Sequence, residues 1–223
     1  MKEIAYIKTD FPDKFGIPRQ SGLVPELMGE IIFHKEYSNM DAVRGLSEYS
    51  HIWLLWKFSK SERDKWSPTV RPPRLGGDTR MGVFATRSPF RPNPIGLSVV
   101  RLDYIELREG VGPVLHVAGA DLMDNTPIYD IKPYLPHIDA IPDAKGGFSE
   151  QFADYGLKVN IPDKLLKLVP GDKQTALYKV LSNDPRPAYH NDEERVYGMY
   201  FSGLNIKFSV KNNMVFVKDI NIF

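Results

Sequence analysis

Arg87-Ser-Pro-Phe-Arg91-Pro-Asn-Pro places two guanidinium groups on a segment whose three prolines leave it few backbone conformations. A guanidinium is a planar fork of donors that can meet a carboxylate or phosphate at two oxygens. A preordered loop also loses less entropy on binding. Together these features are suited to holding an anion. A second fork, Arg19, stands beside Gln20 in a stretch (15–23) fixed by Pro18 and Gly22, where the amide adds both a donor and an acceptor. A third stretch, 119–136, gathers Asp121, Asp124 and Asp130 around the turn Asn125-Thr126-Pro127. Such carboxylates suit ribose hydroxyls or an ammonium group, and equally suit Asx-turns that only serve their own backbone. A fourth, 183–194, repeats the stiffness in Asp184-Pro185-Arg186-Pro187 and adds Tyr189 and His190, a set fit for phosphate contact and base stacking.

Charge concentrates near the first of these loops. Between Lys57 and Arg101 stand ten basic and three acidic residues, a net +7 that the rest of the chain offsets to a total of +1. A local basic field draws anions even when the whole protein is near neutral. Cysteine is absent, which removes disulfides, a thiolate nucleophile and a cysteine zinc site. No histidine pair has metal-ligand spacing, and no metal is expected. Neither the glycine-rich dinucleotide fingerprint nor the P-loop occurs, and no serine sits in a nucleophile elbow. There is no apolar run of membrane-spanning length and no signal-peptide pattern, so the chain reads as cytoplasmic.

The elements that must carry these loops are mostly strands. The segments 29–37, 51–58, 81–87, 97–107, 114–122 and 128–135 are rich in β-branched and aromatic residues, and turn clusters separate them. Many short strands between Gly/Pro turns predict a barrel or a sandwich. One short helix is expected through 41–49 with Asp41 as its N-cap. The character changes after about Tyr134. Residues 137–160 read as a linker or exposed excursion. Residues 162–184 offer two helical pieces split by Pro170-Gly171, with Asp172 placed to cap the second. The chain then returns to strands, with a hairpin turn at Lys211-Asn212-Asn213. The reading is therefore a mainly β protein: a β-rich main domain (1–136), a connecting stretch (137–160) and a small α+β C-terminal domain (161–223).

"GIPRQSGL", "DAVRGLSEYSHIWLLWKF", "SPTVRPPRLGGDTRMGVFATRSPFRPNPIGLS", "DLMDNTPIYDIKPYLP" and "DPRPAY" occur in this order. In these pieces the chain closely resembles the TsaA-like (TrmO) family of tRNA methyltransferases. The resemblance implies an antiparallel β-barrel that binds S-adenosylmethionine, a homodimer with the cofactor near the subunit interface, and tRNA as substrate. It implies methyl transfer to the exocyclic nitrogen of threonylcarbamoyl-adenosine next to the anticodon. The family's cofactor contacts carry over to Pro18, Arg19 and Gln20, to Phe58, Ser59 and Lys60, to Arg87 and Leu97, and to Asp121, Leu122, Met123 and Asp124. At Asn125 this sequence departs from relatives that often carry glycine.

The RNA-facing candidates are Arg71, Arg74, Arg80, Arg91 and Asn93 in the basic segment, Lys132 on the strand of Asp130, and Arg186 with Tyr189. The acceptor nitrogen is a weak nucleophile, and Asp184 and Asp130 are the candidate proton acceptors. Position along the chain separates Arg186 from the cofactor stretches, which predicts that Arg186→Ala spares cofactor affinity and reduces tRNA methylation. Two other readings keep the fold: a methyltransferase of a different small or macromolecular acceptor, and a non-catalytic module that binds the cofactor or RNA.

Overall fold

The computed structural model describes residues 1–61, 65–186 and 192–223. Alternation of polarity orients its strands. In β3 (His51–Lys57), Ile52, Leu54 and Trp56 are buried, while Trp53 and Leu55 face the other side and are half-buried. The other strands of the first sheet are β1 (Ala5–Lys8), β2 (Met28–Phe33), β6 (Ile95–Arg108), β7 (Gly112–Ala118) and β8 (Thr126–Pro133). These six close into a barrel in the order β1-β2-β7-β6-β3-β8, every pairing antiparallel. Of barrel and sandwich, the sequence alternatives, the barrel is found. Ile7, Ile31, Ile52, Leu54, Leu115 and Ile128 fill its interior. β6 pairs with β3 over its first half and β7 over its second, and the register shifts between Leu102 and Tyr104 where it changes partner.

A second sheet has the order β10-β11-β12-β9 and is formed by β9 (Lys158–Asn160), β10 (Tyr197–Phe201), β11 (Leu204–Lys211) and β12 (Met214–Ile222). β9 lies at the end of the stretch that reads as a linker. Helix α3 (Gly171–Ser182) buries Ala176, Leu177, Val180 and Leu181 in the same core as the sheet's Met199, Phe201 and Phe208. Two shorter helices precede it, α1 (Pro136–Asp139) and α2 (Asp163–Leu166). A hairpin turn is found where expected, but its loop is only Asn212 and Asn213, at positive φ of 50° and 56°, while Lys211 pairs with Met214 in the ladder.

The two cores are joined by a segment that shows no strand or helix periodicity. Between β1 and β2 the chain leaves the barrel, and Phe11, Val24 and Leu27 bury themselves in the C-terminal core. Phe15 stacks over Tyr197 and Phe208. Gly16 has φ 99°, and a Cβ there would sit 2.3 Å from the Met199 sulfur, so this crossing requires glycine. Lys173 of α3 closes a 2.7 Å ion pair with Asp10. The Arg19-Gln20 stretch is thereby fixed between barrel and C-terminal sheet.

Several local expectations change. Residues 81–87 are not one strand: β5 is only Met81–Gly82, paired with β4 (Thr69–Val70), and a 3₁₀ turn follows at Val83–Ala85. The carbonyls of Val83 and Thr86 accept from Arg91 instead of from a neighbouring strand. The helix expected through 41–49 is two 3₁₀ turns, Met40–Val43 and Leu46–Glu48, split by Gly45 at φ 80°. Its cap is Asn39, whose side chain accepts from the Asp41 amide at 2.9 Å, and not Asp41. Asp172 lies inside the first turn of α3 and does not cap it; Pro170 takes that position. β1 was not anticipated at all. No helix among the described residues is long and apolar enough to cross a membrane.

Candidate active site

Five separate stretches meet at one end of the barrel around a cleft of about 540 Å³. The wall against the C-terminal unit is Pro18, Arg19 and Gln20. Phe58, Ser59 and Lys60 leave the end of β3. Arg87 comes from the proline-rich loop, Leu97 from β6, and Asp121 and Met123 from the turn before β8. A cleft of this size lies in the range that holds cofactors.

Its floor is a contact that sequence reading missed. Trp56 faces Gly96 across the β3–β6 ladder. A Cβ on Gly96 would stand 2.2–2.6 Å from the indole, so only glycine lets the ring lie over the neighbouring strand. Trp56 Nε1 donates to Ser98 Oγ at 2.9 Å, and Ser98 Oγ donates to Asp121 Oδ1 at 2.6 Å. Phe58 stands beside the indole, ring centroids 4.2 Å apart. The signal in the sequence was the lone glycine inside a strand otherwise rich in β-branched residues.

Charge in the cleft is of both signs. Burial raises the pKa of the Asp121 carboxyl, and the Ser98 hydrogen bond and the Arg87 charge only partly offset it. Arg87 itself is exposed and donates to Gln20 Oε1. Burial, and then the neighbouring Arg74 charge, lower the Arg19 pKa, while the Asp184 carboxylate opposes them. Arg19 is thus a partly desolvated cation that gains from a nearby anion.

A wider groove of about 1500 Å³ adjoins the cleft and shares Arg19, Gln20, Thr86, Arg87 and Pro89 with it. Arg71, Arg74 and Arg80 line it, as do residues 146–149, Phe152 and Tyr155.

The profile of the tRNA-methyltransferase O N-terminal domain matches residues 6–140, and that of the TrmO C-terminal domain matches residues 162–222. The chain belongs to the TrmO family. It is 41% identical over 217 residues to a tRNA (adenine(37)-N6)-methyltransferase of Escherichia coli K12, covering 94% of this chain and 92% of that protein. It is 39% identical over 211 residues to a putative S-adenosylmethionine-dependent methyltransferase of Pseudomonas aeruginosa, covering 91% and 89%. The crystal structure of a Pseudomonas aeruginosa TrmO superposes with a TM-score of 0.80 at 32% identity, over 99% of this chain and 95% of that one.

Not every candidate residue of this TrmO-family chain reaches the cleft. Leu122 points into the barrel core and is 1% exposed. Asp124 accepts from the Thr9 amide at 3.0 Å and from the Asn125 side chain, so it ties the turn before β8 to the chain leaving β1 and forms no Asx-turn. Asn125 has φ 59°, a left-handed conformation that glycine or asparagine tolerates. Asp130 and Lys132 form a 2.9 Å ion pair on β8 and line neither cavity.

Several arginines hold the protein together. Arg74 donates to the Phe152 carbonyl at 3.1 Å and lies over the rings of Phe152 and Tyr155. Arg80 donates to Thr69 Oγ1 at 3.1 Å. Arg91 turns back to donate to the Thr86 and Val83 carbonyls at 2.7 and 3.2 Å, and so closes its own loop. Asn93 is exposed, and its carbonyl accepts from the Ile95 amide at 2.8 Å. Arg186 makes a two-pronged ion pair with Asp184, at 2.8 and 2.9 Å, and Tyr155 donates to the same carboxylate at 2.7 Å. Burial raises the Asp184 pKa, but the hydrogen bonds from Arg186 and Tyr155 outweigh it and leave the carboxyl below its ordinary value. A carboxylate so engaged is a poor proton acceptor. Tyr189 and His190 lie outside the described residues.

Proposed function

We propose that this chain is an S-adenosylmethionine-dependent tRNA methyltransferase that acts on the exocyclic nitrogen of an adenine next to the anticodon, and that the adenine it prefers carries the threonylcarbamoyl group. One observation carries this reading: a cofactor-sized cleft and a basic groove share a wall at Arg19 and Arg87. A group bound in the cleft and a polyanion lying in the groove would meet there.

The residues of the cleft fit the cofactor. The Trp56–Phe58 faces suit an aromatic base, Arg87 suits a carboxylate, and Asp121 suits an ammonium group, ribose hydroxyls or a positive sulfur. When bound, the cofactor supplies a methyl group on a sulfonium, already electrophilic. The chain's task is then alignment, which brings a weak nitrogen nucleophile to near-attack distance. Arg19 and Arg87 neutralise anionic groups of the acceptor at the shared wall, and the carboxylate of a threonylcarbamoyl group is such a group. A homodimer belongs to the same reading. Leu97 leaves an apolar part of the cleft rim 52% exposed in the single chain, a surface that a second subunit would cover.

The test uses purified protein, labelled cofactor and two tRNA preparations, with and without the threonylcarbamoyl group, followed by nucleoside mass spectrometry. Transfer to adenine in the modified tRNA alone is expected. Equal transfer to both would remove the preference. No transfer with cofactor binding intact would favour the non-catalytic module.

A further inference from the structure

Phe84 is 72% exposed and Trp66 is 51% exposed, yet their rings are stacked, with centroids 6.2 Å apart and planes 28° from parallel. Two large aromatic side chains that associate and stay in solvent present a face whose burial is still to come. Arg91 lies 5.7 Å from the Phe84 ring centroid on the loop side. The hydrogen bonds from Arg91 to the Val83 and Thr86 carbonyls fix the backbone on both sides of Phe84, so the ring stands on a braced turn. Phe84 lines the basic groove, as do Lys65, Arg71 and Arg80, all three exposed.

We propose that the Trp66–Phe84 pair is a stacking platform for an unpaired base of the RNA substrate, beside the nucleotide that receives the methyl group. An exposed aromatic face within a field of cations is the arrangement by which single-stranded nucleic acid is held, the rings taking the bases and the cations the phosphates. An apolar protein partner would leave those cations without counter-charges. Thr86 and Arg87, next along the chain, belong to the wall shared with the cofactor cleft, so a base on the platform lies one short step from it. This rests on the tRNA methyltransferase reading and adds which part of the RNA meets which residues.

The experiment compares Phe84→Tyr, Phe84→Leu and Trp66→Ala with the parent protein, measuring tRNA affinity at several salt concentrations, cofactor affinity and molar mass. Phe84→Tyr keeps the ring and should bind tRNA as the parent does. Phe84→Leu keeps apolar surface without a π-face, and with Trp66→Ala should weaken tRNA binding roughly tenfold. Their salt slopes should match the parent's, since no phosphate contact is lost, and cofactor affinity should be unchanged. Parental tRNA affinity in Phe84→Leu would overturn the platform and leave the tRNA reading standing. A parent protein that binds no tRNA would overturn both. A fall in molar mass in Phe84→Leu would assign the rings to a contact between subunits and overturn the platform.

Discussion

The Arg19 guanidinium donates to the backbone carbonyl of Arg186 at 3.0 Å, so a side chain that lines the cleft is held in place by the C-terminal unit. It also reaches the Asp184 carbonyl at 3.5 Å. Through Asp184, Tyr155 and Arg74 the connection continues to the wall of the basic groove. The loop at 184–186 therefore braces the cleft from behind.

Arg186→Ala is expected to weaken cofactor binding as well as tRNA methylation, which reverses the separation of roles inferred from chain position. It leaves the Asp184 carboxylate recessed without its main partner. The Asp184 and Arg186 side chains are only 10% and 15% exposed, and breaking such a pair costs about 3 kcal/mol. Urea unfolding measures the loss, and calorimetry the affinity. The stabilisation also has a pH signature. Because the folded Asp184 pKa is depressed, it is present above the unfolded carboxylate value and is lost as pH falls through the folded one. The difference between parent and Asp184→Asn should accordingly shrink on acidification. A difference that holds constant into acid would exclude the ion pair as its source.

Asp121→Asn is expected to raise the urea midpoint at neutral pH while lowering cofactor affinity. Burial raises this carboxyl's pKa, so its contribution to stability falls as pH rises from the unfolded value through the folded one. Above that window the charged form costs stability, and an amide removes the cost. A cationic ligand beside it recovers that cost, so parental cofactor affinity should increase with pH across the titration and Asp121→Asn should be flat. Identical pH profiles would place Asp121 away from the positive part of the ligand.

Gly96→Ala sets a methyl group into the Trp56 ring. The indole is buried and tied to Ser98, so it cannot swing aside cheaply. Overpacking of this kind costs about 1–3 kcal/mol. Lower stability, altered tryptophan emission and weaker cofactor binding are expected together. Unchanged emission with parental affinity would mean that the ring is not fixed over this strand.

Leu97→Asp tests the subunit contact. If a second copy covers the cleft rim, a charge placed there reduces molar mass by light scattering and cofactor affinity in parallel. Lower affinity at constant mass would make Leu97 a contact of the ligand alone.

The strands were legible because burial on one side of a sheet writes an alternation into the sequence, as in His51–Lys57. The hairpin at Asn212-Asn213 was legible because few residues adopt two successive positive φ values. Arg19, Arg87 and Asp121 were legible as site candidates because rigid neighbours and charge mark them locally. Sequence motifs also carried the family, since each motif is a contiguous run.

What an arginine is used for has no such local mark. Arg74, Arg91 and Arg186 share their composition and stiffness with Arg87, yet the first three donate to backbone carbonyls or a carboxylate of this chain, while Arg87 meets the Gln20 side chain and stays exposed on the wall common to cleft and groove. That division depends on which acceptors the fold brings within hydrogen-bond reach, and for Arg74 the acceptor lies 78 residues away in the chain. The Trp56–Gly96 floor and the burial of Phe11 and Val24 in the C-terminal core are likewise products of long-range packing. Their partners are set by strand register and by the path of the chain between two sheets, which no single stretch of residues contains.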